Sequence, residues 1–362
     1  MEVRYITPNE AIDFQKVSAA SFIWQFDAAV DNKVKVPVLA AFENGKLIAG
    51  VEIYEYKTNY CSEILGTVVV EGVCSQPECR RMGGIREVFK KIGETAIEKD
   101  WVLGFLHPFS IMYYEKFGYA NLNRMFSIKV PFEKLKHIPR NTDAILYTGE
   151  QFDELSELHN KCALQENLIT LRDEKKYFCD KPLENADYTY FRLDANGNAD
   201  GYVRFKVNRP NDVVVEDMFA LTPEALHGLI GFLRNYDGIT KNLIVCKQYQ
   251  GSGFACIADR IDGISYEYNG GTAGRIYNMQ KLLEINRYPE EYGKATVTRK
   301  ADGEYDIALT ATAAARLMLA GEGHTAQTAV YIDGVEINGD ANAFFKAFPR
   351  RPTRFVEGNW SD

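Results

Sequence analysis

At 362 residues, against roughly 150 per domain, the chain has room for two to three domains and more than one core, which excludes a lone small module. Its 46% hydrophobic and 25% charged residues exclude wholesale disorder and collagen-like repetition. With 42 Lys and Arg against 50 Asp and Glu, the formal net charge of −8 gives no electrostatic case for a nucleic acid or an anionic membrane as partner.

No run approaches the ~18 apolar residues of a membrane span, and Met1-Glu2-Val3-Arg4-Tyr5 does not open a targeting segment, so a cytoplasmic address is expected. The seven cysteines (Cys61, Cys74, Cys79, Cys162, Cys179, Cys246, Cys256) are odd in number, irregularly spaced and without a Cys-x-x-Cys pair. Alongside only five histidines they predict buried reduced thiols and no metal.

In chain order, Glu10 to Ala28 predicts a helix with Ala11, Phe14, Val17 and Ser18 on one stripe. Val36 to Phe42 and Lys46 to Ile53 flank Asn44-Gly45, a pair that tolerates the positive φ of a tight hairpin, and predict two antiparallel strands. Val68 to Cys74 predicts a third strand. An amphipathic helix follows from about Arg81 to Asp100, with Ile85, Val88, Phe89, Ile92 and Ala96 on its buried face, and Trp101 to Leu106 predicts a fourth strand.

Three features then recur in order. Asn44-Gly45, Val68-Val69-Val70-Glu71 and Pro77-Glu78 return as Asn196-Gly197, Val213-Val214-Val215-Glu216 and Pro223-Glu224, at offsets of 152, 145 and 146 residues. Order and near-register together point to a duplicated α/β domain with a divide near Pro139 to Thr142. From about Lys281 the texture changes to short strands around Asp-Gly turns and an alanine-rich helix, a small α+β domain of roughly 80 residues. The expected domains are 1–145, 146–280 and 281–362.

The copies differ where chemistry is expected. The first has Arg80-Arg81-Met82-Gly83-Gly84 between strand and helix, where unpaired N–H groups, glycines and guanidinium groups suit a phosphate. The second has Ala225-Leu226-His227-Gly228-Leu229, an ordinary helix opening. The first loop is neither a Walker loop nor Gly-x-Gly-x-x-Gly. Downstream stands Tyr113-Tyr114-Glu115-Lys116-Phe117-Gly118-Tyr119.

Taken with the loop Arg80-x-x-Gly83-x-Ile85, that stretch resembles the Gcn5-related N-acetyltransferases, whose acyl-CoA loop reads Arg/Gln-x-x-Gly-x-Gly/Ala; Ile85 departs from the small last residue. More narrowly the chain resembles the Eis-type (enhanced intracellular survival) branch, with an active acetyltransferase domain, a degenerate second copy and a C-terminal domain like sterol carrier protein 2. The resemblance implies tandem acyl-CoA N-acyltransferase domains of α/β and α+β class, acetyl-CoA as cosubstrate and a homo-oligomer, commonly a hexamer.

It also implies that Val73, Cys74 and Ser75 hold pantetheine and acetyl, and that Arg80, Arg81, Gly83, Gly84 and Ile85 hold pyrophosphate. Tyr114 matches the tyrosine that protonates the departing sulfur, with Tyr113 its immediate competitor. The α-carboxylate of Asp362 matches a terminal base, although this branch often ends in an aromatic residue.

Trp24 and Phe26 suit either an acceptor site or core packing, and Glu71 either the acceptor or a polar strand neighbour. Neither Cys74 nor Cys79 is required as a nucleophile for direct transfer, and His107 beside Pro108 reads as structural. An N-acetyltransferase acting on a small-molecule or peptide amine, such as a polyamine, an aminoglycoside or lysine, is expected. A non-enzymatic acyl-CoA sensor or a lipid-binding protein is the alternative.

Overall fold

The computed structural model describes residues 1–285 except 30, 123–124, 175–186 and 250–251, together with the backbone of 297–299, 307–309, 335–337 and 353–356. The chain begins with β1 (Glu2–Tyr5), α1 (Ala11–Phe22), β2 (Val38–Glu43), β3 (Lys46–Tyr60), β4 (Glu63–Ser75), α2 (Gly84–Glu98), β5 (Trp101–Leu106), α3 (Ile111–Glu115) and β6 (Ala120–Asn121). It continues through β7 (Phe126–Pro131), β8 (Ala144–Leu146), α4 (Phe152–Ala163), β9 (Asn167–Ile169), β10 (Asp187–Leu193), β11 (Ala199–Asn208), β12 (Asp212–Ala220), α5 (Pro223–Leu233) and β13 (Asn242–Gln248). Then come α6 (Gly253–Ala258), β14 (Ser265–Tyr268), β15 (Ala273–Ile276), α7 (Met279–Ile285), β16 (Val297–Arg299), β17 (Ile307–Leu309), β18 (Val335–Ile337) and β19 (Thr353–Val356).

These fall into two compact units. The first takes the described residues of Met1–Lys57, Glu63–Leu122 and Thr272–Arg351, and the second those of Thr58–Ser62, Asn123–Gly271 and Pro352–Asp362. The first unit's sheet has the order β1-β2-β3-β4-β5-β15-β6, antiparallel except for the parallel β4–β5 pair that α2 bridges. The second unit's sheet has the order β14-β7-β13-β12-β11-β10-β8, again with one parallel pair, β12–β13, bridged by α5. In each sheet the strand beyond the parallel pair is antiparallel and distant in sequence: β15 beside β5, and β7 beside β13. Strands β16, β17 and β18 form a small sheet, and β19 pairs in parallel with β9.

Local sequence explains most of the first unit. Asn44 and Gly45 take φ of 51° and 77°, the two positive values that a two-residue hairpin loop needs between Glu43 and Lys46. A second such turn at Cys61 and Ser62 (φ 53° and 69°) lets β3 and β4 run well past the predicted strands, to Tyr60 and back from Glu63.

The predicted helix from Glu10 to Ala28 ends instead at Phe22, because Ile23 turns left-handed at φ 59° and caps it through its N–H on the Ala19 carbonyl. Ala11, Phe14 and Val17 are buried, as the stripe predicts. The helix predicted from Arg81 starts only at Gly84, since Arg81 and Gly83 hold φ of 69° and 91°, which no α-helix accommodates. Its face of Val88, Phe89, Ile92 and Ala96 is buried on the sheet, and each large side chain there contributes on the order of 1.5–3 kcal/mol. Phe14 and Val17 of α1 cover the other face with Val38, Ala40 and Cys74.

The duplicated features occupy like places in the two sheets. Asn196-Gly197 lies in the β10–β11 turn, where the Asp194 carboxylate accepts the N–H groups of Asn196 and Asn198. The two Val-Val-Val-Glu runs lie in β4 and β12. All six described cysteines are free, but the expectation of burial needs correction: Cys74 and Cys162 are buried, whereas Cys256 lies on exposed helix surface. The expected sterol-carrier-like domain over 281–362 falls mostly outside the described residues.

Strand β15 is tied tightly into the first sheet. Tyr277 beyond it shares a 2.9 Å hydrogen bond with Tyr119, and a Cβ added at Gly104 of β5 would sit 2.4 Å from the Tyr277 ring. Gly104→Ala is therefore expected to lower stability by about 1–3 kcal/mol through overpacking. Gly93→Ala in α2 meets nothing closer than 3.7 Å and is expected to be neutral or to stabilise by up to about 1 kcal/mol. Urea unfolding midpoints of the two variants check the contrast.

Candidate functional site

The site begins where β4 parts from β5. Their ladder pairs Gly66 with Trp101 through Val69 with Phe105 and then stops, while β4 runs on to Ser75. Gly72, at φ 55°, supplies the local bend that an ordinary residue adopts only under strain. On its other side the strand stays anchored. Gln76 donates its backbone N–H to the Ile48 carbonyl, and Gln76 Nε2 donates to the Leu47 carbonyl at 2.7 Å. Ser21 of α1 braces the strand end as well, its hydroxyl donating to the Ser75 carbonyl and accepting the Ser75 N–H.

The chain then makes a short 3-10 turn, Pro77–Cys79, and reaches α2 through the two left-handed residues Arg81 and Gly83. Gly83 caps α2 but has no side-chain oxygen, so the N–H groups of the first helical turn remain available beside the positive end of the helix dipole. Gly84 is needed for close packing: a Cβ there would lie 3.0 Å from that of Ala49 on β3. Arg80 and Arg81 are exposed, and among the described residues neither is held in a salt bridge.

These parts surround a cleft of about 840 Å³. All eight residues that the sequence singles out for an acyl-CoA line it: Val73, Cys74 and Ser75 from the strand, and Arg80, Arg81, Gly83, Gly84 and Ile85 from the loop and helix start. Ser21, Phe22, Ala49, Cys79, Arg86, Phe109, Tyr113, Lys116 and Phe117 complete it. The sequence reading missed Phe22, Phe109 and Lys116. Phe22 and Phe109 are exposed apolar side chains, and their placement depends on where α1 and the β5–α3 loop end.

The two adjacent phenols differ. Tyr113 is half-buried on the cleft wall, with the Lys116 ammonium 4.0 Å from its ring centroid. Tyr114 lies directly behind that wall, 2% exposed, in edge contact with Tyr113 and Phe109 and with Phe117 at 6.5 Å. Its hydroxyl takes no hydrogen bond from a described residue. Burial raises both phenols above their ordinary value, Tyr114 further, with the neighbouring Tyr113 adding to its shift. Burial also pushes the Cys74 thiol up to about 12, so it is no thiolate at neutral pH.

Other expected residues stand apart. Trp24 and Phe26 form a tilted pair with centroids 6.3 Å apart on the segment after α1 and do not line the cleft. Glu71 is half-buried on β4 and does not line it either. Asp362 lies outside the described residues.

The second copy lacks the loop. There the Pro-Glu pair opens α5 directly, whereas in the first copy it precedes α2 by seven residues. Pro223 has no N–H to offer, and the Thr222 hydroxyl takes the Ala225 N–H, so the helix start is closed by its own residues. The matching cleft is about 320 Å³ and carries no arginine.

Comparisons with known proteins agree with this division. Residues 2–122 match an acetyltransferase (GNAT) domain family, and residues 169–250 match a second acetyltransferase (GNAT) domain family. No match is found among curated proteins. Among solved structures, the chain is similar to a conserved protein of unknown function from Enterococcus faecalis V583, with TM-score 0.79 at 14% identity over 99% of both chains. It is similar to a GCN5-related N-acetyltransferase from Anabaena variabilis ATCC 29413, with TM-score 0.76 at 14% identity over 98% of this chain and 97% of the other. Its likeness to Eis1 from Mycobacterium abscessus has TM-score 0.75 at 14% identity, over 98% of this chain and 100% of that one. With an acetyltransferase domain matched in each half of the sequence, the chain belongs to the GNAT N-acetyltransferases and carries two such domains in tandem.

Proposed function

We propose that the first unit transfers an acetyl group from acetyl-CoA directly to a primary amine of a small molecule or a lysine-containing peptide. The observation that carries this reading is the meeting of the open β4 edge, the uncapped start of α2 and two unpaired arginines on one cleft. The α2 N–H groups with Arg80 and Arg81 receive the pyrophosphate, and the backbone of Val73 and Cys74, past the end of the β4–β5 ladder, pairs with the amide groups of pantetheine. The second unit, with its helix start closed, contributes no such site.

Transfer then needs a proton for the departing thiolate. Tyr114 is the proposed donor, since it stands three residues before Phe117-Gly118 and burial keeps its phenol protonated. Tyr113 is the second reading, favoured by its place on the cleft wall. The raised thiol of Cys74 fits direct attack by the amine without an acetyl-cysteine intermediate.

Release of CoA from acetyl-CoA, assayed across a panel of amines, tests the activity. Binding without amine-dependent turnover on any amine of the panel favours an acyl-CoA sensor instead. Replacing Arg80 and Arg81 together with Ala is expected to weaken acetyl-CoA binding by roughly tenfold or more, with a loss that shrinks at high salt. Calorimetry at two ionic strengths reads both effects. Tyr114→Phe is expected to lower kcat on the order of 100-fold while acetyl-CoA binding is kept. The same loss in Tyr113→Phe, with Tyr114→Phe active, would transfer the role to Tyr113.

A further inference from the structure

Strand β3 brings one carboxylate to the bend of β4. Glu52 pairs with Val38 of β2 on one side and looks onto Gly72 on the other: a Cβ at Gly72 would lie 3.3 Å from Glu52 Oε2. The Tyr54 hydroxyl donates to the same oxygen at 3.2 Å, whereas Oε1 takes no hydrogen bond from any described residue. No described cation forms a salt bridge with Glu52, although the charge of Lys35, before β2, acts on it. Across the sheet, Cys74 feels the same carboxylate and also lines the cleft. A half-buried, half-satisfied carboxylate thus stands beside the bend of β4, three residues past the last β4–β5 pair; unlike Cys74 it does not itself line the cleft.

Resting on the N-acetyltransferase reading, we infer that Glu52 receives the ammonium of the acceptor and takes its proton before attack. An ammonium supplies the donors that Oε1 lacks and compensates the buried charge. The carboxylate removes one proton, the neutral amine bonds to the thioester carbon, the C–S bond breaks, and the tyrosine phenol protonates the sulfur. The proton still on the attacking nitrogen restores the phenol, and Glu52 passes its own to solvent. In sum, RNH3⁺ and acetyl-CoA give RNHAc, CoA-SH and one proton.

The facing groups set the direction of titration. Burial raises the Glu52 carboxyl above the ordinary range, opposed by the Tyr54 hydrogen bond and by Lys35, while Cys74 is neutral at working pH and Val38 is uncharged. Glu52 therefore becomes a competent acceptor only as pH rises through that raised value. Burial makes it a stronger base than an exposed glutamate.

Glu52→Gln separates this role from a structural brace, because the amide oxygen still accepts from Tyr54 and keeps the shape beside Gly72. The expected result with 1,3-diaminopropane as first probe, followed by the amine panel, is a kcat/KM lowered about 100-fold, with acetyl-CoA affinity and the thermal midpoint unchanged. Its pH profile should change form. Wild type levels off above the Glu52 limb, whereas Glu52→Gln rises tenfold per pH unit up to the pKa of the amine, since only free amine reacts. Glu52→Asp should recover part of the rate and the level region.

A Glu52→Gln variant within twofold of wild type with the same profile overturns the inference and leaves the transferase reading standing. So does a variant lacking Asp362 that shows the changed profile while Glu52→Gln does not. A wild-type chain that binds acetyl-CoA but acetylates no amine of the panel overturns the inference, and one that binds none overturns the proposed function as well.

Discussion

The first unit is organised by a ladder that stops early. Between Gly66 and Val69 the strands β4 and β5 hold each other, and beyond that point β4 is held from the β3 side and, at Ser75, by Ser21 of α1. Backbone groups withdrawn from a ladder must find other partners or meet solvent. Here they border a cleft whose other wall is a helix start with unspent N–H groups. Under the proposed function, much of the recognition surface is main chain, positioned by Gly72, Gly83 and Gly84 rather than by long side chains. That construction fits a fold kept among proteins only 14% identical to this one.

The duplicated domain illustrates how little separates an open helix start from a closed one. Both copies have the same strand order and the same bridging helix across a parallel pair. The first spends five residues between its Pro-Glu pair and its helix, two of them left-handed, and leaves the helix mouth open. The second begins the helix with the proline itself and fills the mouth with Thr222. An uncapped helix start is a local loss of stability, so a copy without an anion to bind has physical reason to close it.

Much of this was legible in the residues. Asn44-Gly45 announced its hairpin because only residues tolerant of positive φ fit a two-residue loop. The spacing of Val88, Phe89, Ile92 and Ala96 announced the buried face of α2. All eight residues that the family resemblance implied for the cofactor border one cleft. Illegible features depended on remote packing. Nothing local in Tyr113-Tyr114 says which ring turns inward. Glu52 reads as one polar position in an alternating strand, and its meaning depends on facing Gly72 across the sheet. Short apolar strands such as Ala273–Ile276 do not name the sheet they will join, so the exchange of β7 and β15 between the two sheets left no mark in the sequence.

That exchange has a consequence for the order in which the molecule can be completed. Strand β15 lies between β5 and β6 and supports the segment that bears both tyrosines, because Arg275 donates to the Phe117 carbonyl and Tyr277 bonds Tyr119. During synthesis, residues 1–122 leave the ribosome long before residue 276 does. At about 5–20 residues per second the interval is on the order of ten to thirty seconds. Until then β5 presents an open edge, and the wall of the cleft formed by that segment lacks its support. The nascent first half must therefore wait for the second, and the activity matures only when nearly all of the duplicated chain has emerged.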